Sequence, residues 1–432
     1  MNELSQAALL MVLLLIALGL GVWVALALLG CGLAGLLLFT STPPGLLFST
    51  TVWNSTASWA LTALPLFVWM GEILYRTRLA EDMFAGLGPW VRGLPGRLLH
   101  VNVIGCGIFA AVSGSSAATA ATIGRITLPE LARRGYPQAI AVGSLAGAGT
   151  LGLLIPPSIV MIVYGVAAQV SIVRLFTAGV LPGLLLMALF SGWIALWSLR
   201  HRDQIPDEGE RVPLAERLKR LRLLLPVTVL IVAVIGSIYA GLATATEAAA
   251  VGVIGSLAIA AFGGSLNRQS FVASLLGATR TSCMISFILM GAAYLTAAMS
   301  FTGLPSTVAA WIGAMGLAPW QLLVVLTLFF MLLGCFLDGI SIVVLTAAVL
   351  MPAVQAAGID PLWFGIYLVL VVEMAQITPP VGFNLFVIQG ITGLQLLQLA
   401  RMALPFFLLL VLATVLITVF PQIVLALPGA MG

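Results

Sequence analysis

Charge is what this sequence has least of. Only 7% of its 432 residues are Asp, Glu, Lys or Arg, against about 25% in an average soluble domain. A water-soluble enzyme of this length would lack the polar surface to stay dissolved, which excludes that class. Histidine is scarce too: the 2 present are His100 and His201, and there is no HExxH motif to suggest a zinc hydrolase. The four cysteines, Cys31, Cys106, Cys283 and Cys335, stand alone in apolar segments with no CxxC spacing. They read as packing residues and give no metal-ligand framework. Strict apolar/polar alternation is missing, which argues against a transmembrane β-barrel. No catalytic residue, organic cofactor, transition metal or nucleic-acid partner is expected.

What is abundant is apolar surface: 61% hydrophobic residues with 45 Gly and 22 Pro, and a mean hydropathy of +1.18. Apolar runs near span length recur from Leu4 to Leu427, which points to one polytopic helical bundle in contact with membrane lipid. Polar and turn-forming clusters cut it into spans at 4–20, 22–39, 56–76, 138–170, 174–199, 223–240, 245–263, 280–300, 362–390 and 396–425. Two further stretches, 98–131 and 320–352, carry a polar break at mid-length. Each half is about 15 residues, or about 22 Å, short of a hydrocarbon core of about 30 Å. They read as re-entrant hairpins, allowed only where protein or a cavity covers the turn.

The first run follows Glu3 and no basic residue, so it reads as a retained span and not a cleaved leader. Short inner loops collect Lys and Arg. With the charged loop Arg200 to Arg222 inside, alternation leaves only Arg174 of the 18 basic residues outside, and both termini face outward. That loop, with His201, Asp203, Asp207, Glu208 and Glu210, reads as a solvated linker between two halves.

The halves are copies. A shift of 223 residues places Gly32 on Gly255, Phe39 on Phe262, Gly93 on Gly316, Pro129 on Pro352, Gly135 on Gly358, Pro156 and Pro157 on Pro379 and Pro380, and Pro182 on Pro405. The hairpin tips match after a two-residue slip that aligns Gly114 with Gly339 and Ser116 with Ser341. The domain reading is 1–22 an N-terminal span, 23–199 the first repeat, 200–240 a cytoplasmic linker with its connecting span, and 241–425 the second repeat. An odd number of crossings between equivalent points inverts the second copy, provided 138–170 is one broken helix. Inverted repeats with broken helices at mid-membrane are the architecture of secondary transporters.

The first tip reads Ser113, Gly114, Ser115, Ser116, then Ala117, Ala118 and Thr119. Its hydroxyls are either oxygen ligands or helix caps. The second reads Leu337, Asp338, Gly339, Ile340, Ser341. A carboxylate at membrane depth marks a partner or an ion path; Asp338 could also cap the next helix, and the two roles are compatible. Two double prolines, at Pro156–Pro157 and Pro379–Pro380, break their helices and free carbonyl oxygens. Those oxygens suit an alkali cation, and the new helix N-terminus suits an anion; a plain kink is the alternative. Glu72 and Glu247, near span ends, read as structural; Glu373 is open between structure and ion or substrate contact.

Five segments, SGSSAATAAT from Ser113, GTLGLLIPPS from Gly149, ATATEAAAVG from Ala243, DGISIVVLTAAVLMP from Asp338 and ITPPVGFNLFVI from Ile377, together resemble the large membrane subunit of tripartite ATP-independent periplasmic (TRAP) transporters. The resemblance implies an all-α, inverted-repeat, elevator-type transporter of the bacterial inner membrane. It implies sodium-coupled uptake of a small organic anion, a carboxylate or acidic sugar, delivered by a periplasmic substrate-binding protein. It also implies a small four-helix membrane subunit, expected as a separate polypeptide. Carried over by position, one sodium site takes Ser113, Gly114 and Ser116 with Gly149, Thr150 and Pro156. The other takes Asp338, Gly339 and Ser341 with Thr378, Pro379 and Gly382. Ser115, Ser158 and Asn384 are the substrate-facing candidates. Ile155 stands where the second copy has Thr378, a departure from strict equivalence. The rival readings are a stand-alone symporter of the same superfamily, a channel, and an intramembrane hydrolase with Ser113 as nucleophile, for which neither histidine is placed to serve as base.

Overall fold

The computed structural model describes residues 3–206, 213–303, 307, 310, 318–334, 337–380 and 382–430, and the described residues form helices joined by short turns, with no strand among them. The first half comprises α1 (Glu3–Gly19), α2 (Val24–Phe39), α3 (Pro44–Thr56), α4 (Ala63–Tyr75), α5 (Leu79–Val91), α6 (Leu99–Ser113), α7 (Ser116–Arg133), α8 (Gln138–Leu154), α9 (Ile159–Ala167) and α10 (Ile172–Arg200). After α11 (Leu214–Leu221) and α12 (Leu225–Tyr239) come α13 (Ala245–Phe262), α14 (Arg268–Thr302), α15 (Pro319–Gly334), α16 (Gly339–Ala356), α17 (Pro361–Gln376), α18 (Phe383–Thr392), α19 (Leu396–Val419) and α20 (Gln422–Ala430).

The repeat is visible in helix boundaries. Helices α7 and α16 start 223 residues apart, at Ser116 and Gly339, and α8 and α17 do the same at Gln138 and Pro361. The offset therefore runs unbroken through the tips, and the two-residue slip expected from sequence is wrong. The N-cap residues Ser115 and Asp338 are the equivalent pair, and Gly114 matches Leu337 rather than Gly339. A side chain that caps a helix start fixes register more firmly than a glycine that only permits a turn. Matched glycines do mark the far ends. Gly135 and Gly358 have φ of 81° and 72°. The next residues, Tyr136 and Ile359, donate backbone N–H to Leu131 and Val354. These are two copies of the left-handed helix stop that favours glycine.

Several span expectations change. The 56–76 run is a short 3₁₀ turn, Trp59–Thr62, followed by α4. The 280–300 run is the inner part of the 35-residue α14. At 1.5 Å per residue that helix is about 52 Å long, longer than a bilayer core of about 30 Å. The 396–425 run is two helices, parted just before Pro421. Helix α3 has no buried residue, and the linker contains the amphipathic α11, which runs directly into a 3₁₀ turn at Arg222–Leu224; residues 207–212 before it lie outside the described ones. Cys31 and Cys106 are buried as expected, but Cys283 is exposed; Cys335, Gly316, Asp207, Glu208 and Glu210 lie outside the described residues.

The helices pack in two groups. Helices α2, α4, α12, α13 and α14 contact one another, and α6 to α9 pack with α15 to α19, with α10 alongside. Small residues make the close crossings possible. Gly32 of α2 leaves room for Tyr294 and Leu295 of α14, and Gly147 of α8 for Phe406 of α19. One seam between the groups runs where Gly71 of α4 lies against the backbone of Val112 and Ser113.

Candidate functional site

Each hairpin ends on a broken helix. In the first copy α8 and α9 meet at a bend of 41°, with a cis bond between Pro156 and Pro157. The proline pair lacks N–H donors, so the chain cannot continue the helix. Ser158 restarts it as N-cap of α9, accepting from the Met161 N–H at 3.4 Å. The second copy breaks between Gln376 and Phe383, again with a cis proline pair, Pro379–Pro380. Here the chain turns at Gly382, whose φ is 53°, and α18 starts with no side-chain cap.

The first tip and the first break meet directly. Gly114 turns the chain in a left-handed conformation, and its carbonyl accepts the Ile159 N–H at 3.3 Å. A β-carbon on Gly114 would lie 2.8 Å from the Pro157 carbonyl oxygen, and one on Gly152 would lie 2.5 Å from that of Ser115. Gly149 leaves similar room for Ala120. Inside the tip Ser113 Oγ and Thr119 Oγ1 are 2.8 Å apart, and Thr119 also donates to the Ser115 carbonyl at 2.8 Å. Ser115 caps α7 through the Ala118 N–H, and Ser116 is buried. Thr119, just beyond the tip in sequence, is thus part of its oxygen cluster; its position three residues into a capped helix is the signal that places it there.

The second tip closes on itself. Asp338 accepts the Ile340 N–H at 3.1 Å and the Ser341 N–H at 3.5 Å, and the Ser341 hydroxyl also donates to it. This tip seats on α17 ahead of the break. Gly339 fits against Val372 and Gln376, and Gly334 against Ala375. Thr378 donates to the Met374 carbonyl at 2.7 Å, and Gly382 folds back on the Thr378 carbonyl. The described hydrogen bonds of Asp338 and Ser341 all lie within the tip, so none joins them to Thr378 or Gly382.

Between the tips, Thr150 and Glu373 face each other across α8 and α17. Both are fully buried. Thr150 donates to the Gly147 carbonyl at 2.7 Å, and its hydroxyl lies beside the Glu373 carboxyl. Neither carboxyl oxygen closes a hydrogen bond; the same is true of Gln376 Oε1 and of both amide atoms of Asn384, in the first turn of α18. Glu72 and Glu247 are structural. Glu72 pairs with Arg76 at 2.8 Å, and Glu247 completes a capping box with Thr244. No group of His, Cys, Asp and Glu fit for a metal such as zinc occurs among the described residues. A cavity of about 370 Å³ lies away from this site, lined by Glu81, Arg92, Glu130, Arg134 and Arg220 among others.

The family model described as "Tripartite ATP-independent periplasmic transporter, DctM component" matches residues 9–423. The C4-dicarboxylate TRAP transporter large permease protein DctM of Pseudomonas aeruginosa is 35% identical over 404 residues, spanning 93% of this chain and 94% of that one. The sialic acid TRAP transporter large permease protein SiaM of Vibrio cholerae is 30% identical over 382 residues, 86% of each chain. The ectoine/5-hydroxyectoine large permease UehC of Ruegeria pomeroyi is 32% identical over 373 residues, 85% of this chain and 86% of that one. Among solved structures, the YdaH transporter of Alcanivorax borkumensis superposes with a TM-score of 0.64 at 16% identity, over 94% of this chain and 98% of that one; at that identity the likeness is one of fold.

Proposed function

Because this chain belongs to the DctM component family of tripartite ATP-independent periplasmic transporters, we propose that it takes up a small organic anion, a carboxylate or acidic sugar, together with sodium across the bacterial inner membrane. In this reading a periplasmic binding protein delivers the solute and a small four-helix subunit completes the membrane unit. The observation that carries the proposal is the seating of each hairpin on its own broken helix, at Gly114 and Gly152 in one copy and at Gly339 in the other.

The first tip gathers the Ser113 and Thr119 hydroxyls and the Ser115 carbonyl, hard oxygens of the kind alkali cations accept. Sodium bound there would supply positive charge that ties tip to break. The residues around it do the rest: Ser115 holds the start of α7, and Gly114 and Gly152 let the tip backbone reach the break. At the second tip Asp338 already serves as a cap, and a carboxylate has lone pairs left for a cation. Ser158 uses its side chain on α9, whereas α18 starts without a side-chain cap. With the unfilled amide of Asn384 in its first turn, α18 is the better place for a substrate carboxylate. Of the three substrate-facing candidates, Ser115 and Ser158 also cap helices, so our reading places the anion nearest Asn384.

Coupling requires that sodium bind the loaded and empty carrier with different affinity. The elevator proposal is that the group α6 to α9 with α15 to α18 slides as a body past α2, α4, α13 and α14. The test is uptake into proteoliposomes holding this chain with its two partners. Solute should accumulate under an inward sodium gradient; equal accumulation in potassium would refute sodium coupling. Transport by the chain alone would favour a symporter that needs no binding protein.

A further inference from the structure

Glu373 is used by none of the contacts that seat the hairpins. It lies in α17, fully buried, with both carboxyl oxygens unpartnered and no cationic side chain paired with it among the described residues. An ionised carboxylate so placed is strongly disfavoured unless something neutralises it. Thr150 of α8, from the other repeat, sets its hydroxyl beside the carboxyl. That hydroxyl donates to the Gly147 carbonyl at 2.7 Å, and its oxygen keeps lone pairs for a cation. One turn along α17, on the same face, Gln376 Oε1 is buried and also unpartnered.

We propose that Glu373, Thr150 and Gln376 hold a monovalent cation in the seam between the two broken helices, a site that uses none of the Ser113, Thr119, Asp338 or Ser341 oxygens of the tips and takes Thr150 out of the first-tip set that the resemblance implied. A proton would neutralise Glu373, and its one O–H could fill Gln376 Oε1, but the other carboxyl oxygen would stay unfilled. A trapped water would fill acceptors without cancelling charge. One small cation does both, since hard cations take several oxygens at once. The site draws ligands from both repeats, so its occupancy reports on their alignment: if the broken helices part, the charge is left bare. Gly339 of the second tip packs on the same turn of α17, against Val372 and Gln376, so the cation and the seated second hairpin would stabilise each other.

The inference rests on the sodium-coupled reading above, and its test separates the two. Binding of radioactive sodium to the full chain, purified in detergent, is counted by equilibrium dialysis for the native protein, Glu373→Gln and Ser116→Ala. Glu373→Gln, nearly isosteric and neutral, should lose one bound sodium per chain while melting at a higher temperature than the native protein in sodium-free buffer. Glu373→Asp should keep the full count with about tenfold weaker affinity, equivalent to about 1.4 kcal/mol. A native count that Glu373→Gln leaves unchanged overturns the proposal and leaves the proton as the neutralising species. A native protein that binds no sodium at all overturns the sodium-coupled reading as well, whereas a loss in Ser116→Ala without one in Glu373→Gln overturns the seam site alone.

Discussion

Gly152 has no room for a methyl group: its β-carbon would lie 2.5 to 2.7 Å from the Ser115 carbonyl and the Ser116 nitrogen. Those are backbone atoms and cannot rotate away, so Gly152→Ala must lift the first tip from its break. Overpacking of this kind costs about 1–3 kcal/mol, and the melting temperature in detergent should fall accordingly, with uptake lost. Gly192→Ala on α10, where nothing lies within 4 Å, is the control and should match the native protein in both measurements. Loss of uptake in both variants would mean that tip seating is not the cause. Asn384→Asp puts a negative charge where the substrate anion is proposed to sit. It should raise the KM for solute and leave the sodium dependence of melting unchanged; an unchanged KM would remove Asn384 from the substrate site.

At the scale of elements, capping and ion binding by Asp338 can be told apart. Asp338→Asn keeps an acceptor for the Ile340 and Ser341 N–H groups, whereas Asp338→Ala removes it, costing about 1 kcal/mol. Only the Ala variant should lower the sodium-free melting temperature, but both should need more sodium for uptake; a normal requirement in Asp338→Asn would make the residue a cap alone. The seam between the packing groups makes a second prediction. Gly71 of α4 would place a β-carbon 3.1 Å from the Ser113 carbonyl, and the Arg125 side chain donates to Tyr75 of α4 at 3.3 Å. If the hairpin slides along α4, Gly71→Val should stop uptake while sodium binding persists. Uptake at the native rate would mean that this seam is not a sliding surface.

The whole molecule depends on topology. If α8 and α9 form one bent crossing, Ser171 lies outside and the Arg202 turn inside, and the two copies are inverted. Single cysteines at these positions, in a background with Cys283 replaced by Ser, should react with an impermeant maleimide from opposite sides. Labelling of both from one side would make α8 and α9 two crossings and the repeats parallel. Among the described residues five helical stretches, one of them α11 and α12 run together, are long and apolar enough to span alone, and two bent pairs bring the number up to seven. The shorter helices among the rest fit a carrier whose middle is built from half-helices and hairpins.

The sequence by itself determined where the backbone bends. Tip residues Ser113 to Ser116, the proline pairs and the glycines at 135 and 358 act on their own few residues through φ, missing N–H groups and caps, so their effects can be read locally. Family membership was legible for the same reason, since the five segments are this punctuation in order. Tertiary structure alone decided what those bends touch. Thr119 joins Ser113, Asp338 turns inward to cap its own helix, and Thr150 meets Glu373 from 223 residues away. These contacts depend on how helices from two repeats cross, and side-chain distance across a crossing leaves no periodic trace in either strand of sequence. The slip between Gly114 and Gly339 fell to the same cause: identity suggested one register, and the hydrogen bonds that start each helix imposed another.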